Sequence, residues 1–157
     1  MITNFPANPK QNLGGLSSFQ FIPASHVITF AQVINNALIT ALTLISGKTW
    51  LNGYATHESL RFRETIKDSE QGDIYDQVIT GFVPGDSWEL NALIAEMEQY
   101  KKFFVIVNDR GLKKLVGYPL EPLEFSADFD SGGQRSDAKG YNFKFAGRSV
   151  FRAPKYL

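Results

Sequence analysis

The chain is organised by the way apolar and polar positions alternate along it. From Glu58 to Ile66 the two kinds take turns: Leu60, Phe62 and Ile66 share one face, and Ser59, Arg61, Arg63 and Thr65 the other. That period of two predicts a half-buried strand. Ile74 to Val83 reads as a second strand closed by Pro84-Gly85, and the polar stretch Lys67–Asp73 makes the two a hairpin with a long loop. The apolar run Phe103–Val107, then Asn108-Asp109-Arg110-Gly111 and Leu112 to Val116, predicts another hairpin. Leu123, Phe125, Ala127 and Phe129 alternate with Glu124, Ser126, Asp128 and Asp130. Tyr141, Phe143 and Phe145 alternate with Asn142, Lys144 and Ala146, and a polar glycine-rich loop from Asp130 to Gly140 joins these strands. Phe19-Gln20-Phe21-Ile22 before Pro23 predicts one more short strand.

A single segment has helical period. Leu90, Leu93, Ile94, Met97 and Tyr100 fall on one face of a helix over 86–102. Asp86 with Glu89 three residues on reads as a capping box. Glu98 and Lys102 are spaced as an i,i+4 pair, and Lys101 and Lys102 suit the negative end of the dipole. Val27 to Ile45 is different: 19 residues without a charge. Gln32, Asn35 and Asn36 sit at its centre, where a bilayer penalises polar groups most, so it does not read as a membrane span. Its second half, Leu38 to Ile45, predicts a strand buried on both faces, after a turn at Asn35-Asn36. About eight strands and one helix predict a mainly β fold, a β-sandwich or small β-barrel with one flanking α-helix (86–102).

The start of the chain breaks these patterns. Pro6, Pro9, Gly14 and Gly15 interrupt any helix or strand, and no cationic stretch leads into an apolar run as in a signal peptide. The division expected is an extended arm over 1–16 and a single β-rich domain over 17–157. The arm's low charge is unlike a solvated tail. Ile2, Phe5, Leu13 and Leu16 are therefore expected to dock on a neighbouring subunit or to close a sheet edge.

Composition adds exclusions. With 157 residues and 17.6 kDa the chain fits one domain with a sizeable core. Sixteen basic residues balance sixteen acidic ones, which gives no overall pull toward nucleic acid or anionic lipid. The balance is uneven, however: residues 1–47 carry only Lys10, and the end of the chain is basic. No cysteine is present, so disulfides, thiolate metal sites and a cysteine nucleophile are excluded. Thirteen Phe among many turn formers again favour β structure.

Candidate chemistry is thin. Asp128-Phe129-Asp130-Ser131-Gly132-Gly133 resembles the opening of a calcium loop, but Gly132 and Lys139 stand where ligands are needed. Lys139-Gly140 inverts the order of a phosphate-binding loop and precedes a strand. Glu58, Glu64, Asp68, Glu70, Asp73 and Asp76 are dense enough for an acid/base pair, yet Glu58 and Glu64 would lie about 20 Å apart along one strand. They read as solvated surface. His26 and His57 lack a Gly-x-Ser-x-Gly elbow. Trp50, Tyr54 and Trp88 could form the aromatic platform of a β-sandwich binding module for carbohydrate or peptide. Arg61, Arg63, Lys144, Arg148 and Arg152 are candidates for a basic interface face.

The order of segments carries a resemblance. Leu13-Gly14-Gly15 leads to Phe19-Gln20-Phe21-Ile22-Pro23. Phe62-Arg63-Glu64-Thr65-Ile66-Lys67 is followed by Gly72 and Tyr75, then Val107-Asn108-Asp109 with Gly111, Val116-Gly117 and Leu123-Glu124-Phe125. Tyr141-Asn142-Phe143-Lys144-Phe145-Ala146-Gly147 closes near Ala153-Pro154. This layout resembles the tail-tube, tail-completion and neck proteins of tailed bacteriophages. The resemblance implies a non-enzymatic virion subunit with no cofactor or metal, assembled in the host bacterial cytoplasm. It implies homo-oligomeric rings or tubes, commonly hexameric, with other tail or neck proteins as neighbours. DNA would be only passing cargo in the channel, and no membrane would be involved. Ile2, Phe5, Leu13, Leu16, Arg61, Arg63, Lys144, Arg148 and Arg152 are then the expected interface residues.

Overall fold

The computed structural model describes residues 16, 18–30, 33–35, 37–38, 42–56 and 58–156. The expected contacts of Ile2, Phe5 and Leu13, and His57, lie outside them. The fold is a β-sandwich with one helix. Its first sheet holds β1 (Ser18–Pro23), β3 (Val33–Ile34), β4 (Ala37–Leu38), β6 (Leu51–Asn52), β9 (Lys102–Asp109), β10 (Leu112–Val116) and β13 (Lys155–Tyr156). They run in the order β6-β1-β9-β10-β13-β4-β3, antiparallel except for β13 with β4. The second sheet is β11 (Leu123–Asp130), β12 (Gly140–Ser149), β8 (Gly72–Pro84) and β7 (Arg61–Ser69), in that order. The two join where Phe103 and Lys102 of β9 pair with Leu123 and Glu124 of β11. A small pair, β2 (Val27–Thr29) and β5 (Thr43–Leu44), lies apart from both.

Period-two alternation builds the core. Phe19 and Phe21 of β1 and Phe103, Val105 and Val107 of β9 point between the sheets. They meet Ile79, Leu123, Phe125, Phe143 and Phe145 from the second sheet. The phenyl rings contact edge-on or tilted, with centroids 5.1 Å apart for Phe125–Phe145 and 5.8 Å for Phe103–Phe145, inside the favourable range for aromatic pairs. Gly81 is required here, because a Cβ would lie 2.6 Å from the Phe143 ring. The even residues of β9, Phe104 and Ile106, face the opposite way and form a second cluster with Ile22, Leu42 and Leu115. Val27, Phe30, Leu44, Trp50 and Tyr156 pack against that cluster. β9 is thus buried on both faces.

The helix α1 (Trp88–Tyr100) lays Leu90, Ile94 and Met97 on the main core. Its cap is Ser87, whose Oγ accepts from the Leu90 amide at 3.2 Å, and not Asp86. Asp86 accepts from the Asn91 side chain at 2.9 Å and pairs with Lys139 at 2.9 Å. Lys101 leaves the helix with φ 60°, so Lys102 starts β9 and pairs with Glu124, not with Glu98.

Three further expectations change. The stretch Lys67–Asp73 is not a long loop: β7 and β8 stay in register to Ser69↔Gly72, and their polar end projects as a ribbon wet on both faces. The Arg110-Gly111 turn is equally tight, with φ 52° and 92° as a two-residue hairpin of type I′ requires. The run 38–45 is not one doubly buried strand. Among its described residues, Ala37–Leu38 and Thr43–Leu44 are short separate strands, and Ile45 is exposed. The turn at Asn35 is present, with φ 53° and Val33 opposite Leu38. These short strands raise the number above the eight expected. No helix of the described residues is long and apolar enough to cross a membrane.

Candidate assembly interface

The second sheet has an inner and an outer face. Alternation places Arg61, Arg63, Thr65 and Lys67 of β7 on the outer face, with Asp76, Val78 and Thr80 of β8. Lys144 and Arg148 of β12 follow, and then Glu124, Ser126, Asp128 and Asp130 of β11. Register aligns Arg61, Thr80, Lys144 and Ser126 in one row across the four strands. Asp76 bridges Lys67 at 2.7 Å and Arg148 at 3.4 Å. Glu124 lies between Lys101 and Lys102. Among the described residues Arg61, Arg63, Lys144 and Asp128 make no ion pair.

Among the described residues both outer edges of this sheet are open: β7 pairs only with β8, and Ser126–Asp130 of β11 pair only with β12. One hydrogen bond at each edge shows which backbone groups point outward. The Leu60 carbonyl accepts from the Leu16 amide at 3.3 Å, and the Phe125 amide donates to Lys101 at 2.8 Å. Backbone groups alternate sides along a strand, so even residues of β7 and odd residues of β11 present theirs to a further strand.

The inner face changes character beyond Ile79. Glu64 has 12% of its side chain exposed; it accepts from Gln77 at 2.8 Å, the Ala153 amide at 2.8 Å and Arg152 at 3.0 Å. Arg152 also stacks on Tyr75, 4.7 Å from the ring centroid. Arg152 is therefore turned inward, away from the face that holds Arg61, Arg63, Lys144 and Arg148. This polar plug anchors residues 150–154, which cross from β12 to β13. Glu64 is thus not the solvated surface residue expected from the carboxylate-rich stretch; its place on the apolar face of an alternating strand is the signal for its burial. Leu16 packs against the main core.

Other candidates resolve into structure. Glu58 has φ 65° in the turn before β7, so it does not share that strand with Glu64. Asp68 faces Asp73 across the projecting ribbon, and their hydrogen bond pushes Asp73 above the usual carboxylate range. Asp137 accepts from the Gln134 and Gly133 amides, which hold it below that range, and Asp130 accepts from Gly132. These carboxylates organise the 130–140 loop as turn acceptors, and no metal-binding cluster occurs among the described residues. Burial and Lys48 lower His26, whose ring meets Tyr100 edge-on. Trp50 packs on Tyr156, whereas Tyr54 and Trp88 (91% exposed) stack on no ring among the described residues.

A groove of about 450 Å³ lies where the 150–154 crossing meets the turn after β10. Phe30, Leu115, Tyr118, Pro119, Phe151 and Pro154 line it. No family model matches the chain. No curated protein and no solved structure matches it significantly.

Proposed function

We propose that the chain is a non-enzymatic virion structural protein, a tail-tube-like subunit that forms homo-oligomeric rings around a DNA channel. The observation that carries this reading is the complementarity of the two open edges. Set antiparallel to the open Ser126–Asp130 stretch of β11 of a second copy, β7 can place Arg61 opposite Asp130, Arg63 opposite Asp128 and Thr65 opposite Ser126. Each of these three outer-face positions then meets an opposite charge or a matching hydroxyl. In this register the even residues of β7 and the odd residues of β11 bond through their outward backbone groups. The charged pairs fall at the non-hydrogen-bonded positions, where opposed side chains are closest. Beneath the sheet, Phe62 meets Phe129, an exposed ring.

Each opposite-charge pair contributes about 0.2–1 kcal/mol, and the backbone ladder adds to it. Two β7 edges facing each other would instead oppose Arg61, Arg63 and Lys67 to one another. The favoured contact is therefore head-to-tail, which closes into a ring or continues as a filament. The joined outer faces carry Arg61, Arg63, Lys67, Lys144 and Arg148 against Asp76, Glu124, Asp128 and Asp130. That near balance suits a channel through which DNA passes without being held. Negative-stain imaging of the purified protein tests the proposal: rings or tubes are expected, and uniform particles of one 17.6 kDa chain would overturn it.

A further inference from the structure

We infer that the cavity between the C-terminal half of α1 and the turn after β5 binds a free α-amino acid with a large apolar side chain, a role beyond the ring contact proposed above. The cavity holds about 250 Å³, less than the roughly 300–1,000 Å³ of pockets for drug-sized ligands. Rings make up much of its lining. His26, Tyr100, Phe103 and Phe21 form a continuous series of edge-on contacts, with centroids 5.6, 6.5 and 5.9 Å apart. Leu51, Leu93 and Met97 complete the apolar lining. Phe21, Met97 and Phe103 are buried, whereas Leu51, Leu93 and Tyr100 are 45%, 42% and 42% exposed. The cavity thus has a buried apolar floor and an open apolar rim. A further ring or a branched alkyl group can join the aromatic series in the geometry its members already adopt.

The lining also carries one charge of each sign. Lys48 comes from the turn after β5, where Gly47 has φ 82° and the Lys48 amide donates to the Ile45 carbonyl at 2.9 Å. Glu96 comes from α1. Both are exposed, and among the described residues neither makes an ion pair. An ammonium group is favoured beside Glu96 and the carbonyl end of the helix, and a carboxylate beside Lys48. Burial, and then Lys48, hold His26 below its usual range, so at pH 7 its ring offers one donor and one acceptor without adding a charge. The Tyr100 and Thr49 hydroxyls supply further neutral partners. An amine alone leaves Lys48 unmatched, and an acid alone leaves Glu96 unmatched. A free amino acid carries both charges on one carbon next to its side chain, whereas a peptide separates them.

None of these residues belongs to the β7–β11 contact, so imaging and ligand titration fail separately. Isothermal titration of the full chain with L-phenylalanine tests the site. Saturable binding is expected, at least about tenfold tighter than that of phenethylamine, which lacks the carboxylate, or phenylpropionate, which lacks the ammonium. Lys48→Ala should weaken L-phenylalanine to the level of the amine, and Glu96→Ala to the level of the acid. Both are exposed positions whose replacement leaves the fold intact. Leu112→Ala, at an exposed position of β10, should leave binding unchanged. No saturable heat up to about 10 mM L-phenylalanine would overturn the inference. So would equal affinity for the three ligands, or undiminished binding by the Lys48 and Glu96 variants.

Discussion

The apolar run Phe103–Val107 of β9 and the uncharged segment from Val27 to Ile45 are both strongly apolar and have opposite fates. β9 is flanked by β1 and β10 and covered on both faces, and Phe103 to Val107 are all buried. The described residues of the uncharged segment cover one cluster, through Val27, Phe30, Leu42 and Leu44, and leave Ile28, Val33, Ile34 and Ile45 exposed. An apolar run thus becomes a doubly buried strand only when neighbours exist on both sides and both faces. Among the described residues of 27–45 the strands are only two or three residues long, and only β4 is flanked on both sides, by β3 and β13. Its uncovered isoleucines, like Phe151 at the groove, are exposed apolar surface.

Substitution separates the two regions. Ile106→Ala, on the second face of β9, should cost about 2–5 kcal/mol, whereas Ile28→Ala should stay within about 0.5 kcal/mol. Denaturant melts of the two variants measure this, and equal losses would erase the distinction. The next largest effect belongs to the polar plug. Glu64→Ala leaves the side-chain amide of Gln77, a residue 2% exposed, with only its 3.4 Å bond to the Phe151 carbonyl, and strands the Ala153 amide. It should cost about 1–3 kcal/mol and release residues 150–154, read as faster amide exchange at Ala153 than at Phe104 of β9. The smallest effect concerns α1: Ser87→Ala should lose about 1 kcal/mol, more than Asp86→Ala, and the reverse order would restore Asp86 as the cap.

The same comparison shows what was legible in the sequence. β7, β8, β11 and β12 were readable because each alternates over a core face, and β9 because five apolar residues end at a clear turn. α1 was readable from its apolar spacing; its cap was misplaced by one residue, since Asp86 and Ser87 are both good caps and only Ser87 has its oxygen over the Leu90 amide. The 67–73 ribbon read as loop because strands wet on both faces lose their hydrophobic period. The short strands of 27–45 were hidden by uniform apolarity, which carries no period at all. The charges of β7 and β11 were visible, but that both strands are sheet edges follows only from topology, which sets β12 and β8 between them and keeps them about sixty residues apart in sequence.

The edge contact is the centre of the account, and charge reversal tests it most directly. Sedimentation velocity would compare the unaltered chain with Arg61→Asp/Arg63→Asp, with Asp128→Arg/Asp130→Arg, and with the equimolar mixture of those two variants. The account predicts that the unaltered chain sediments as a closed oligomer and that each variant alone falls to small species. In the mixture both joints are complementary: the reversed β7 of the first variant meets the reversed β11 of the second, and the unaltered β7 of the second meets the unaltered β11 of the first. Oligomers in which the two variants alternate should therefore re-form. Oligomers of unchanged size in both single variants would contradict it.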